Sequence, residues 1–382
     1  MDITIQPRLL RGEITAIPSK SQAHRLLICA AFADRITTLV CPQTNRDIEA
    51  TADCLRTLGA NIIRTTDGYT VEPIRSVAKS AVLNCCESGS TLRFMLPIVG
   101  ALGVDAIFKM AGRLPYRPLS PLWEEMERMG CSLSRPTEDA IRCSGKLKPG
   151  KYSIDGSVSS QFITGLLFAQ ALIEGETELE ITGKVESQPY IEMTRRALAL
   201  FQDFKSPGTV NVEGDWSNGA FFLAAKALGN DICVLGLDDS SAQGDRAVVQ
   251  IIPELLAGSA TVSAADIPDL VPILSVVAAA NRGAVFTDIR RLRLKESDRV
   301  QSVIDMITAL GGKAEADENN LHIHGCALCG GTVNSCNDHR IAMSAAIAAT
   351  VCTQPVTILG AEAVNKSYPQ FWEEYRRLGG QL

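Results

Sequence analysis

Two kinds of helix-forming segment alternate along this chain, each about six times, and that alternation constrains the fold more than any other feature. The first kind opens with small, polar or charged residues and continues in Ala and large apolar residues. Residues 20–25 run into LLICAAFA, 88–93 into FMLPIVGALG, 159–161 into FITGLLFAQAL, 215–218 into GAFFLAAKAL, 268–269 into LVPILSVVAAA and 337–340 into IAMSAAIAA. Apolar residues go nearly all the way round these segments, so the pattern predicts buried helices. The second kind is amphipathic, ends in Gly and leads into a strand. DIEATADCLRTLGANIIRT, PLWEEMERMGCSLSR, SDRVQSVIDMITALGGKAEA and YPQFWEEYRRLGGQL are the clear copies, and the Gly after Leu or Met marks a helix C-terminus. YIEMTRRALALFQDF lacks that Gly, and Pro253 interrupts DRAVVQIIPELLAGSATV.

The alternation amounts to about six β/α modules, and 382 residues exceed one core of ordinary size. The expectation is an α/β protein of two lobes with three modules each. The boundary should fall near residues 212–215, between the third and fourth modules. The short strand before Ile17 is expected to join the C-terminal lobe. Residues 1–16 with 214–382 would then form one lobe and 17–213 the other, with the active site in the cleft between them.

Hydrophobic residues make up 46% of the chain and charged residues 21%, as in a globular protein. A net charge of −6 with no long basic run argues against a nucleic-acid binder but permits a local positive pocket. Met1-Asp2-Ile3-Thr4 has neither the basic nor the apolar region of a signal peptide. The most apolar stretches, residues 94–108 and 267–280, contain Pro or Asp and fall short of a membrane span. A cytoplasmic location is therefore expected. The twelve cysteines are scattered, and Cys29, Cys54 and Cys352 sit inside apolar runs, which fits buried thiols better than a disulfide framework.

A helix N-terminus carries unpaired N–H groups and about half a positive charge, so it suits an anion. One such start is ordinarily a plain N-cap. Six similar starts are not so easily explained, and several add a side chain that a cap does not need: Lys20, Arg25, Arg93, Gln161 and Arg340. Further cations stand in expected loops. Arg113 and Arg117 lie in GRLPYRPLS, Lys295 and Arg299 in RLRLKESDR beside Glu296 and Asp298, and Lys366 before the last helix. Each is by default a solvated charge. Together they suffice for two anionic ligands, since Arg grips carboxylate and phosphate bidentately.

Through SKSQAHR, ESGSTLRF, GRLPYRP, GSVSSQF, SQPYIE, GDWSNGAFFLAA, DIPDLVP, LKESDR, NDHRIAM and KSYPQF, in that order and over nearly its whole length, the chain resembles the EPSP synthases of the enolpyruvyl transferase family. The resemblance implies a fold of two lobes, each of three repeated β/α modules about a pseudo-threefold axis (an inside-out α/β barrel). It also implies a reaction. The 5-hydroxyl of shikimate 3-phosphate adds to phosphoenolpyruvate, and phosphate leaves from a tetrahedral intermediate. No metal or organic cofactor is implied. The expected partners are these two small molecules, with glyphosate as an inhibitor, and neither nucleic acid nor membrane. The protein is expected to be a monomer.

By matching position, the resemblance gives shikimate 3-phosphate to Ser21, Arg25, Ser159, Ser160, Gln161, Ser187, Tyr190, Asp269 and Lys295. Three of the serines and Lys295 suit its phosphate, and Tyr190 and Arg25 its hydroxyls and carboxylate. Phosphoenolpyruvate falls to Lys20, Gly89, Arg117, Gln161, Arg299, Arg340 and Lys366, with Gly89 letting a backbone N–H approach closely. The chemistry needs a base for the 5-hydroxyl and an acid for the vinyl carbon. Asp269 is the expected base, though a carboxylate at a helix start also serves as an N-cap. Lys20 and Glu296 are the expected proton donors or relays. The chain departs from the family at three places: His24 stands where Asn is common, Glu87-Ser88 where Asn-Ala is common, and Arg291 where some members place an Asn that contacts the shikimate phosphate.

Two rival readings stand beside this one. The sister enzyme that transfers enolpyruvyl to UDP-N-acetylglucosamine typically begins its site with Lys-Asn and has a Cys in the loop near residues 113–117. Here Ser21 follows Lys20 and that loop has no Cys. A non-catalytic anion-binding protein on the same scaffold would be expected to lose Lys20, Asp269 and Glu296, and all three are present. One last motif is His322, His324, Cys326 and Cys329, whose residue types can bind zinc. No second ligand cluster supports a metal, and a surface strand with its His on one face is the expected reading.

Overall fold

The computed structural model describes all residues, 1–382, and the chain divides into two compact units, Met1–Ile17 with Glu213–Leu382 (unit 1) and Pro18–Val212 (unit 2). Two short strands of unit 1 come first, β1 (Ile3–Ile5) and β2 (Arg11–Thr15). Unit 2 then runs through α1 (Lys20–Ala31), β3 (Thr37–Val40), α2 (Arg46–Leu58), β4 (Asn61–Arg64) and β5 (Gly68–Glu72). Its next module is β6 (Ser80–Asn84), α3 (Gly89–Leu102), β7 (Asp105–Lys109), α4 (Leu122–Arg128), β8 (Cys131–Thr137) and β9 (Ala140–Gly145). The third is β10 (Gly150–Asp155), α5 (Ser160–Leu172), β11 (Thr177–Thr182), α6 (Gln188–Leu200) and β12 (Thr209–Asn211). Its sheets are β12-β3-β5-β4, β6-β7-β9-β8 and β10-β11.

Unit 1 resumes with α7 (Trp216–Ala227), β13 (Asp231–Leu235) and α8 (Val248–Ala257). Next come β14 (Ala260–Ser263), α9 (Val271–Ala279), β15 (Gly283–Thr287), α10 (Arg299–Ala309), β16 (Lys313–Ala316) and β17 (Leu321–His324). The last module is β18 (Gly331–Asn334), α11 (His339–Ala348), β19 (Val356–Leu359) and α12 (Phe371–Arg377). The sheets are β13-β2, β14-β15-β17-β16 and β1-β19-β18. Each unit thus repeats one device three times: a parallel strand pair with one buried helix, followed by an amphipathic helix. The parallel pairs are β12 with β3, β6 with β7 and β10 with β11 in unit 2, and β2 with β13, β14 with β15 and β18 with β19 in unit 1.

The all-round apolar segments are buried as their composition requires. Every residue of α9 and α11 is buried, and α7, α9 and α11 pack on one another inside unit 1. In unit 2, α3 lies along α5, and α1 packs on α2 and α6. Each unit has its own apolar core, the first including Phe221, Leu274 and Ile347 and the second Leu27, Met95 and Ile163. Burying one such side chain contributes roughly 1.5–3 kcal/mol. The amphipathic helices end as their sequence indicates. Gly59 closes α2 with φ 118°, and Gly130, Gly311 and Gly379 stand one residue beyond the caps of α4, α10 and α12, also at positive φ. All twelve cysteines are thiols, Cys29, Cys54 and Cys352 being buried. No helix is long and apolar enough to cross a membrane.

Candidate active site

In unit 2 the starts of α1, α3 and α5 carry polar groups into an apolar core. Ser19 caps α1 by accepting the N–H of Gln22, so Lys20 is the first helical residue. Lys20 Nζ lies 3.0 Å from Asp47 Oδ2 in the first turn of α2. Ser88 caps α3 by accepting the N–H of Thr91, which leaves Gly89 and Ser90 with first-turn N–H groups that the helix itself cannot use. A Cβ on Gly89 would come within 2.6 Å of Arg117 Nη1 and 2.7 Å of Arg93 Nη1. Two guanidinium groups therefore lie over this backbone because no side chain intrudes. Arg93 is held by the Pro118 carbonyl at 3.1 Å and lies over the Phe162 ring at 5.6 Å. Gln161 Nε2 donates to Ser90 Oγ at 2.9 Å, tying the start of α5 to that of α3.

Ser159 caps α5, and Ser160 follows it, buried. Ser187 sits at the start of α6 with φ 57° and makes no capping bond. Arg25 is buried and donates to Thr194 Oγ1 at 2.9 Å, the Ser21 carbonyl at 2.6 Å, Thr164 Oγ1 at 3.3 Å and the Tyr190 carbonyl at 2.8 Å. All of these acceptors are uncharged, and burial draws the guanidinium down to about 10.

In unit 1 the groups are charged. The N-cap of α9 is Leu270 and makes no side-chain bond, so the Asp269 carboxylate does not cap that helix. Asp269 Oδ1 faces Lys295 Nζ at 3.6 Å and accepts from Arg299 Nη1, while Oδ2 faces Arg340 Nη2 at 3.3 Å. Burial would raise this carboxyl, but Lys295, Arg340 and Arg299 hold it well below the usual carboxylate range. Lys295 is drawn down to about 8, because burial opposes its charge more than Asp269 supports it.

Arg299 is the hub of the network. A guanidinium has five N–H donors. Here Nε meets Asp338 at 2.8 Å, Nη1 meets Asp269 and the Pro268 carbonyl, and Nη2 meets Glu296 at 2.7 Å and Asp338 at 3.5 Å. Arg299 was expected to hold phosphoenolpyruvate, yet every donor is engaged by the protein, so an anion there must displace one of these acceptors. Asp338 also caps α11 through the Arg340 N–H and accepts from Ser297 Oγ. Arg340 Nη1 donates to the Ser217 carbonyl at 3.2 Å, and Lys366 Nζ to the Asn337 carbonyl at 2.6 Å. Beside Ser217, Asp245 accepts from its hydroxyl. Burial and the nearby Asp269 push the Asp245 carboxyl up to about 7.

The expected ligand sets draw on both units. Ser21, Arg25, Ser159, Ser160, Gln161, Ser187 and Tyr190 belong to unit 2, and Asp269 and Lys295 to unit 1. Lys20, Gly89, Arg117 and Gln161 belong to unit 2, and Glu296, Arg299, Arg340 and Lys366 to unit 1. Three carboxylates escape the sequence reading. Asp47 reads as an ordinary first-turn acid of α2 and pairs with Lys20, Asp338 reads as a cap and also holds Arg299, and Asp245 carries no signal beyond its polarity in QGDR. His322 and His324 lie on the outer face of β17, His322 near Asp317 at 3.6 Å and His324 near Glu315 at 3.1 Å. No group of three or more His, Cys, Asp or Glu is placed to hold a metal ion.

A family model described as EPSP synthase (3-phosphoshikimate 1-carboxyvinyltransferase) matches residues 5–375. The chain is 36% identical to the 3-phosphoshikimate 1-carboxyvinyltransferase of Clostridium kluyveri, with 100% of this chain and 98% of that one covered. It is 37% identical to the enzyme of the same name from Clostridium acetobutylicum, at 100% and 98% coverage. Among solved structures it is similar to an EPSP synthase from Acinetobacter baumannii, with a TM-score of 0.80, 23% identity and coverage of 99% and 98%. It is also similar to the enolpyruvyl transferase NikO from Streptomyces tendae, with a TM-score of 0.78, 15% identity and coverage of 99% and 97%. These last two likenesses bear on the fold.

Proposed function

The chain belongs to the EPSP synthase family, and from that premise we propose that Asp269, Lys20 and Glu296 handle the protons of its reaction while the other basic, hydroxyl and amide residues hold the two anions. The reaction is transfer of the enolpyruvyl group of phosphoenolpyruvate to the 5-hydroxyl of shikimate 3-phosphate, with release of phosphate. In the addition step, the 5-hydroxyl oxygen bonds to C2 of phosphoenolpyruvate, its proton passes to a base, and C3 gains a proton. In the elimination step, C3 gives a proton back and the C2–O bond to phosphate breaks. Neither step requires an oxidant or a metal.

One observation supports Asp269 as the base above all others: its carboxylate is ringed by Lys295, Arg299 and Arg340. Alone, that ring makes it a weak base, because three cations stabilise the ionised form. Substrate anions that bind Lys295 and Arg340 offset those charges. The carboxyl then rises toward the range in which it can accept the hydroxyl proton, so the base strengthens when both substrates are present. The same cations stabilise charge that develops on the departing phosphate. In this reading Lys20, Gly89, Arg117, Gln161, Arg299, Arg340 and Lys366 hold phosphoenolpyruvate. Ser21, Arg25, Ser159, Ser160, Gln161, Ser187, Tyr190, Asp269 and Lys295 hold shikimate 3-phosphate. Lys20 and Glu296, each already paired with an opposite charge, supply the proton donor or relay. Inhibition by glyphosate, a monomeric state and a location in the reducing cytoplasm, which suits twelve thiols, belong to the same proposal.

The test is phosphate release from phosphoenolpyruvate by purified protein, measured with shikimate 3-phosphate, with UDP-N-acetylglucosamine, and with neither. Release that depends on shikimate 3-phosphate is the expected result. Release with the UDP-sugar alone would assign the sister reaction, and release with neither partner's help, or none at all, would defeat the reading.

A further inference from the structure

Helices α1, α2 and α3 of unit 2 are joined by a line of side chains that the proton transfers do not use. His24 Nδ1 lies 2.7 Å from Thr51 Oγ1, Thr51 Oγ1 lies 2.7 Å from Thr91 Oγ1, and Thr91 Oγ1 donates to Ser88 Oγ at 2.8 Å. All four residues are 0% exposed, so no water competes for these bonds. Outside this line the His24 ring makes no further hydrogen bond: its Nε2 has no partner, and the ring stands perpendicular to that of Phe94 at 6.2 Å. Burial and the nearby Lys20 and Arg25 keep the imidazole uncharged through the neutral range. An uncharged, wholly buried imidazole with one polar contact fastens that contact.

The ends of the line explain what it fastens. His24 lies one turn after Lys20 on α1, and Thr51 lies one turn after Asp47 on α2. Thr91 Oγ1 also lies 3.4 Å from the Asp47 carbonyl. Ser88 ends the line by accepting the Thr91 N–H at 3.2 Å, which sets the first turn of α3. That turn holds Gly89, over which Arg117 and Arg93 lie, and Ser90, which receives Gln161. Moving the Ser88 cap moves Gly89 and Ser90 with it, because both lie in the turn that it caps.

We infer that the line His24–Thr51–Thr91–Ser88 is a positioning device for the phosphoenolpyruvate subsite, holding the α3 start in register with Lys20 and Asp47. The inference rests on the assignment of Gly89 to that subsite. None of the four side chains is a catalytic residue; they act through the backbone of Gly89 and Ser90.

Kinetics of a matched pair of variants test it. Thr51→Val keeps the shape of the side chain and removes its hydroxyl, whereas Thr51→Ser keeps the hydroxyl and removes a methyl group. A merely structural role for Thr51 lowers stability, since the buried His24 and Thr91 lose a partner, and leaves both KM values near the parent's. The positioning role predicts a selective loss of binding. Thr51→Val raises KM for phosphoenolpyruvate about five- to tenfold, with KM for shikimate 3-phosphate and kcat within about twofold, and Thr51→Ser stays near the parent. Thr91→Val, which breaks the next link, gives the same selective rise and serves where Thr51→Val does not fold. Gly89→Ala separates the two levels of the claim. If it raises KM for phosphoenolpyruvate and neither valine variant does, the line is not a positioning device. If Gly89→Ala leaves that KM unchanged, Gly89 is not in the subsite and the inference falls with the assignment.

Discussion

Two buried arginines, Arg25 in unit 2 and Arg299 in unit 1, show how differently the two units treat a cation. Arg25 is held by two threonine hydroxyls and two backbone carbonyls, and burial draws its guanidinium down to about 10. Arg299 is 1% exposed and meets Asp269, Glu296 and Asp338; burial works against its charge, yet the carboxylates hold it well above the ordinary arginine value. The first arrangement leaves a positive charge with no carboxylate among its acceptors. The second is an ion network whose charges nearly cancel. In the proposed reading, unit 2 supplies mainly preset anion ligands, and unit 1 supplies groups whose protonation responds to what binds. That division suits a reaction that must both hold two anions and move protons between them.

The largest effect should come from Asp269, where base and network meet. Asp269→Asn keeps the side-chain shape and removes the negative charge. We expect kcat lower by about 10²–10⁴-fold, the usual range for a general acid–base group, with shikimate 3-phosphate still bound. Steady-state turnover beside calorimetric binding checks this. Near-normal turnover would remove Asp269 from the role of base and leave it as a neutraliser of Arg299 and Arg340.

Next in size is the stability difference between the two arginines. Arg299→Met strips one partner from three carboxylates, one of them, Asp338, fully buried, and should cost about 3–5 kcal/mol. Arg25→Met leaves only hydroxyls and carbonyls short of a donor, at about 1–3 kcal/mol. Urea unfolding of both variants compares them directly. Equal losses would mean that the carboxylates of unit 1 do not depend on Arg299, and the contrast between the units would fail.

These contrasts were only partly legible in the sequence. The six helix starts, their burial and the Gly-marked helix ends can be read because each depends on residues within one or two turns. The pairs Lys20–Asp47 and Arg299–Asp338 cannot, because 27 and 39 residues separate the partners and only the packing of helices joins them. Asp269 shows the same limit from the other side. Local pattern makes it an N-cap, but the approach of Lys295, Arg299 and Arg340 gives its carboxylate another use. For Arg299 the family likeness supplied a ligand role, whereas the structure adds that all five donors are already engaged. His24 read as a departure from a family habit, and the hydroxyls in line with it come from two other helices, α2 and α3.

A smaller effect concerns Lys295, with its ammonium titrating near 8. A cation drawn down this far is charged below that pH and neutral above it. The specificity constant for shikimate 3-phosphate should therefore fall about tenfold per pH unit above about 8. Lys295→Arg keeps its charge across the range and should remove that descending limb, even where its absolute value is lower. An unchanged limb in the arginine variant would assign the titration to another group.

The smallest effect should be the pH dependence that Asp245 gives to unit 1. Its carboxyl is pushed up to about 7 by burial and by the neighbouring Asp269, against roughly 3.9 in an unfolded chain. Between those values the unfolded chain ionises the group and the folded protein does not. Stability from this source is thus full below about 4, declines as pH rises, and is lost by about 7. Asp245→Asn is neutral throughout and still accepts the Ser217 hydroxyl, so its Tm should fall less than the parent's between pH 5 and pH 8. A difference on the order of 1 kcal/mol corresponds to about 2–4 °C for a unit of this size. Unit 2 has no buried carboxyl among the Arg25 contacts, so Arg25→Met should show no such change of pH slope. A parent and an Asp245→Asn variant with parallel Tm profiles would place this proton elsewhere and leave Asp269 as the group in unit 1 that answers to bound anions.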